Sequence, residues 1–303
     1  MGAKIYQNKK YIAFFLIPAF VFMLIFLYYP FIQNIINSFQ HIKYMGTAAD
    51  KWNAPFYKNY LEIFKDPKML IALKNTGIMI IATIVGEVGL AIVLSLLVSN
   101  IKKGAGFFRV VYFFPIVISA TALGLLFNLV FLYDKGMINQ LLQLIGVLDA
   151  GKNELIDWKA THPMFTMLVP VIWQYVGFYF IILLTGLSGI SEDLYEAAEI
   201  DGAGKLQKIR YIDIPSILPT AVVLLIMNSG RIMSVGFEKV LLMQNPMNIS
   251  ASEIISTYVY KIGLIGMEYS YSAAIGLFNS VINLVLILVV NGVAKRAGNI
   301  SLL

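Results

Sequence analysis

Six runs of the chain, each long enough to cross a bilayer and almost free of charge, fix the class of structure open to it. They lie at 11–31, 78–98, 110–133, 164–187, 217–236 and 273–294. A helix rises about 1.5 Å per residue, so about 20 consecutive apolar residues span the hydrocarbon core. Glu87 in the second run and Arg231 in the fifth are the only charged residues in all six. The reading is therefore an all-α integral membrane protein with six transmembrane helices, forming one membrane domain over residues 1–303. Composition agrees, since 59% of the residues belong to the AVILMFWYC set and 13% are charged, against about 45–50% and about 25% in soluble domains. The first run follows Lys4, Lys9 and Lys10, exceeds the core of a signal peptide and meets no small-residue cleavage pattern, so it reads as a retained helix. Pro18, Pro115 and Pro170 fall inside runs and are expected to kink their helices. With no cysteine, thiolate metal sites, Cys nucleophiles and disulfides are excluded.

Orientation follows from the density of Lys and Arg beside the spans. One side holds Lys4, Lys9, Lys10, Lys102, Lys103, Arg109, Lys205, Lys208, Arg210, Lys295 and Arg296, many of them in short turns. The other side spreads a similar number, Lys239 among them, over longer loops. Both termini are placed on the denser side, which the rule makes cytoplasmic. The outer segments, 32–70, 134–163 and 237–272, contain Trp52, Pro55, Trp158 and many tyrosines, and are expected to form short interfacial helices.

One inner loop is long. Residues 188–216 read SGISEDLYEAAEIDGAGKLQKIRYIDIPS. Ser191 is a good N-cap, with Glu192 and Asp193 suited to the first turn, so a helix is expected to about Ile200. Asp201-Gly202 breaks it. A second short helix, about 203–211, is expected to stop before Pro215, where the next span begins. On periodicity alone the segment is an amphipathic connector at the membrane surface.

Its spacing says more. Glu196-Ala197-Ala198, Asp201-Gly202-Ala203, Ile212 and Pro215 resemble the EAA signature of ABC-importer permeases, E-A-A-x-x-D-G-A followed by I-x-L-P, with Ile214 where Leu is usual. Asn59-Tyr60, Phe64, Asp66-Pro67 and Asn75-Thr76 resemble the N-Y…F…D-P…N-T pattern of the carbohydrate-uptake branch, as does Phe108-Arg109 with Pro115. Residues 236–246 (GFEKVLLMQNP), 257–264 and 269–283 are similar to the sub-branch that imports oligosaccharides of polysaccharide origin. The resemblance implies the fold of a type I ABC importer, and a coupling helix at Glu196–Ala203 docking on a separate ATPase. It also implies the partners: a homologous second permease, two ATP-binding cassette subunits and an extracytoplasmic sugar-binding protein. The membrane implied is the bacterial cytoplasmic one. Neither G-x-x-x-x-G-K-[ST] nor any equivalent occurs, since Gly204-Lys205 has Glu199 five residues before the glycine and Leu206 after the lysine. ATP and Mg are thus expected on the ATPase chains, with no cofactor, metal or catalytic site here, and no nucleic acid as partner. His41 and His162 have no neighbours that would make a metal site.

Polar residues within spans usually face the interior of a bundle, because exposure to lipid is costly. On the fifth span, Asn228 and Arg231 share a face that Ser234 extends. They could hydrogen-bond sugar hydroxyls or, through Arg231, pair a substrate carboxylate. Equally, Arg231 could pair with Glu87 or Glu238. Trp173, Gln174, Tyr175 and Tyr179, midway along the fourth span, could stack a sugar or simply pack helices. Ser272, Gly276, Asn279 and Asn283 form a small-and-polar stripe on the sixth, either path or packing surface. An ion-coupled secondary transporter and a permease for a non-sugar solute are the alternatives; the former usually shows internal repeats and several intramembrane acids, and this chain offers only Glu87.

Overall fold

The computed structural model describes residues 9–42, 52–101, 103–148, 155–229 and 236–298. These are helical throughout apart from connections and an isolated bridge between Gln40 and Trp52. The chain packs as two compact units, Met1–Asp66 with Val259–Ser280 and Pro67–Tyr258 with Val281–Leu303.

In the first unit, α1 (Lys9–Met23), a π turn (Leu24–Tyr28) and α2 (Tyr29–Ser38) make one apolar helix across Tyr11–Ser38. Its 28 residues measure about 42 Å, seven residues beyond the apolar run, and Phe14, Phe15 and Phe26 on it are exposed. Pro18 lies inside α1 without ending it. The π turn closes with Tyr29 N–H donating to the Leu24 carbonyl, one residue before Pro30. That wider register opens the turn where a proline ring would press on the carbonyl four residues back. The weak motif residues of this region act as structural ties. From α3 (Lys58–Lys65), Asn59 Nδ2 donates to the Ser38 carbonyl at 2.7 Å and the Tyr60 hydroxyl meets Ser38 Oγ at 2.8 Å. Phe64 sets its ring edge-on to Phe278, and Asp66 accepts from the Tyr271 hydroxyl at 3.0 Å.

The second unit is built on α4 (Pro67–Ser99), whose 33 residues run about 50 Å. It packs along α9 (Pro163–Ser188), which also meets α5 (Ala105–Val117). Val88, Ala91, Phe180, Leu183, Ile217 and Leu224 form the buried centre. Helices within lipid expel no water on meeting, so close fit must hold them together, and small residues allow it. A Cβ at Gly177 would lie 1.8 Å from the Tyr112 carbonyl oxygen, so only glycine lets α5 and α9 come this near. Asn75 and Thr76 tie α4 to the 250–255 segment: Asn75 Nδ2 donates to the Ser250 and Glu253 carbonyls, and Thr76 Oγ1 accepts from Ile255 N–H at 2.9 Å. The segments 134–163 and 237–272 contain short helices, among them α7 (Met137–Leu144), α8 (Trp158–Thr161), α13 (Phe237–Met243), α14 (Ile249–Ser252) and α15 (Ile255–Tyr260).

Five helices have the length and apolarity to span, and the third run becomes a sixth only as a broken one. The straight helix expected over 110–133 is instead α5 and α6 (Ala120–Val130), bent by 101° at Ile118–Ser119. Ile118 is extended, and Ser119 Oγ accepts from Ala122 N–H at 3.2 Å, capping a new helix inside the apolar run. Pro115 precedes the break, whereas Pro170 lies inside α9 without ending it. The described part of the fifth run is helical, within α12 (Ile214–Ser229), and residues 230–235 lie outside the described residues. The last helix, α16 (Tyr269–Gly298), contains the sixth run.

Candidate functional site

The 188–216 loop and a polar cluster among α4, α9, α12 and α13 are the two places where the second unit gathers chemistry. In the loop, α10 (Glu192–Ile200) starts on Ser191, whose Oγ accepts from Asp193 N–H. Its other end explains the E-A-A-x-x-D-G-A spacing. Ala203 N–H donates to the Ala198 carbonyl at 2.8 Å and Gly202 N–H to the Glu199 carbonyl at 3.0 Å, the paired bonds of a Schellman cap. Gly202 takes φ +77°, which costs other residues about 1–2 kcal/mol, and none of the described residues lies within 4 Å of a Cβ there. None of α10 is buried, so Glu196, Ala197, Asp201 and Gly202 form an exposed surface.

The following stretch corrects the expectation that Pro215 ends a separate helix. α11 (Lys205–Lys208), a π turn (Ile209–Asp213) and α12 run as one helix over Lys205–Asn228. Ile214 N–H donates to the Ile209 carbonyl, one residue before Pro215, as Tyr29 does before Pro30. Ile212 and Pro215 therefore sit within a continuous rod. Two side-chain bonds join α10 to it: Lys208 Nζ to Glu199 Oε1 at 2.6 Å, and the Tyr195 hydroxyl to Asp213 Oδ1 at 2.5 Å. The Lys208 ammonium holds the Glu199 carboxyl below its usual range. Burial, with the Asp213 carboxylate beside it, holds the Tyr195 phenol well above its own. A cleft of about 620 Å³ borders α10, lined by Ser99, Arg109, Ser188, Glu196 and Asp213 among others.

In the polar cluster, Asn228 Nδ2 donates to Glu87 Oε2 at 3.2 Å, and both residues are buried. The Tyr179 hydroxyl also bonds Glu87. Lys239, expected in an outer loop, is 1% exposed, its Nζ 5.2 Å from the centre of the Tyr175 ring and near enough to act on Glu87. Its burial escaped the sequence reading; the available signal was its place one turn before Met243 on the apolar side of α13. Arg231 and Ser234 lie outside the described residues, as do Lys4, Lys43, Lys51, Lys102 and Lys152.

The four fourth-span candidates do not share one surface. Trp173 is exposed with its ring edge toward Phe127, Tyr175 and Tyr179 turn toward Lys239 and Glu87, and Gln174 Nε2 donates to the Ile118 carbonyl at 2.8 Å. Gln174 thereby satisfies an acceptor freed by the α5–α6 break, while its own Oε1 has no partner among the described residues. Asn279 falls in the first unit and Asn283 in the second, both half-buried on α16.

The family described as the binding-protein-dependent transport system inner membrane component matches residues 88–299. The chain belongs to this family. It is a multi-pass membrane permease. A polygalacturonan/rhamnogalacturonan transport system permease of Bacillus subtilis is 30% identical to it, over 96% of this chain and 89% of that one. The arabinooligosaccharides transport system permease of Halalkalibacterium halodurans is 31% identical over 72% of this chain and 66% of its own. Among solved structures, a chain of the bacterial alginate ABC transporter in complex with an alginate pentasaccharide-bound periplasmic protein superposes with a TM-score of 0.83, at 28% identity over 99% of this chain and 98% of that one.

Proposed function

We propose that the chain, as one permease domain over residues 1–303, pairs with a homologous permease to form the path of an ATP-driven oligosaccharide importer. What carries the reading is that near-full-length relatives are named for polymeric or oligomeric saccharides, polygalacturonan and alginate among them. An extracytoplasmic binding protein delivers the sugar, as the periplasmic protein seated on the alginate transporter supports. Two ATPase subunits hold ATP and Mg and dock at Glu196, Ala197, Ala198, Asp201, Gly202 and Ala203, with Ile212 and Pro215 stiffening the rod behind them. The exposed surface of α10 supports this role. Both termini face the cytoplasm. Glu87, Asn228, Tyr175 and Tyr179 contribute the polar wall of the sugar path, and Trp173, Gln174, Asn279 and Asn283 are its further candidates. Arg231 pairs a substrate carboxylate or a buried acid.

The test is ATP hydrolysis by the assembled importer in proteoliposomes, with binding protein loaded in turn with neutral and acidic oligosaccharides. Stimulation by a loaded glycan, and none by amino-acid or peptide cargo, is expected. Stimulation by non-sugar cargo alone contradicts the substrate class.

A further inference from the structure

We infer that the Tyr195–Asp213 hydrogen bond is the clamp that makes the Lys205–Asn228 rod move with α10, so that Tyr195 and Asp213 are positioning residues for coupling. The inference rests on the proposed docking of an ATPase at α10. A surface helix can pass movement inward only through what attaches it, and α10 buries none of its residues. On one flank it borders the open cleft of about 620 Å³. Its side-chain bonds to the rod are two, from Glu199 and Tyr195, among the described residues. The Lys208–Glu199 pair has its carboxylate 70% exposed, and exposed ion pairs hold weakly. The Tyr195–Asp213 bond differs, because Asp213 is 6% exposed and its carboxylate strengthens the bond.

The rod is suited to carry the movement. Its 24 residues are about 36 Å long, with Tyr195 held about a third of the way along, at Asp213, and Asn228 bonded to Glu87 at the far end. The π turn that spans Ile209–Asp213 keeps hydrogen bonding unbroken up to Pro215. A displaced α10 therefore pulls Asp213, and Asp213 pulls a helix whose far end meets the buried cluster. A loose Tyr195 lets α10 swing over the cleft while the rod stays still.

The assembled importer tests this with Tyr195→Phe, Asp213→Asn and the double variant Tyr195→Phe/Asp213→Leu, which leaves no buried carboxylate without its donor. ATPase co-purification, melting temperature and sugar uptake per ATP hydrolysed are measured for each. Tyr195→Phe and the double variant are expected to retain the ATPase yet lose about tenfold in uptake per ATP, the order of factor that a hydrogen bond to a charged group is worth. Asp213→Asn keeps an acceptor oxygen and is expected within about twofold of the parent, since the bond survives without its charge. Parent-like uptake per ATP in the double variant overturns the inference, as does a loss explained wholly by reduced ATPase assembly. Failure of the parent chain itself to retain an ATPase overturns the docking reading and the clamp together.

Discussion

At Gly202 the left-handed backbone and the empty space around it separate two effects of substitution. Gly202→Arg meets no clash among the described residues and costs about 1–2 kcal/mol in backbone strain, so on the proposed docking insertion is expected to persist while a close-packed ATPase groove rejects the side chain. Normal membrane level with transport lost is the expected outcome, read from uptake at matched expression. Asn228 poses the opposite case. Asn228→Leu removes a donor from a buried carboxylate, which is expected to cost about 1–3 kcal/mol and lower the melting temperature in detergent. Adding Glu87→Gln removes the stranded charge and restores most of it. Residues of this kind were unevenly legible. Gly202 stood out because its spacing from Glu196 is fixed by the Schellman cap, whereas Lys239 looked like an ordinary loop cation. Its burial depends on α13 folding back against the Tyr175 face of α9, a long-range contact that local sequence does not encode.

Elements were legible where hydrophobic period and length agreed. α9 matches its apolar run to within a residue at each end, and Ser191 and Gly202 mark both ends of α10. The misreadings came from polar atoms hidden in apolar text. Ser119 caps a helix in the middle of the third run, and the π turns at Leu24–Tyr28 and Ile209–Asp213 carry the chain past Pro30 and Pro215, where proline would ordinarily signal an end. Gln174 closes the first of these breaks, so Gln174→Leu leaves the Ile118 carbonyl without its donor and is expected to destabilise by about 1–3 kcal/mol, measured as a melting shift. Between α10 and the rod, pH should matter little in the physiological range. Glu199 is held below its usual range, so its pair with Lys208 is present above about pH 4.3 and is lost as pH falls through the lowered value. Tyr195 is held above its usual range, so its bond is fully present below about pH 10 and lost only as pH rises through the raised value. Uptake per ATP should therefore be flat from about pH 5 to about pH 9, as far as this joint sets it.

At the scale of the molecule, uncharged runs and the EAA spacing were enough to read a multi-pass membrane permease. Which polar groups meet the cargo was less legible, because adjacent candidates on one helix turn to different neighbours, as Trp173 and Gln174 do. The central claim is that this chain moves an oligosaccharide only when another subunit hydrolyses ATP. Its most direct measurement is uptake of a labelled oligosaccharide into vesicles bearing the assembled importer, with ATP and binding protein each supplied or withheld and ion gradients collapsed. The account predicts uptake that requires both ATP and loaded binding protein and survives loss of the gradients. Uptake driven by an ion gradient in the absence of the ATPase subunits would contradict it.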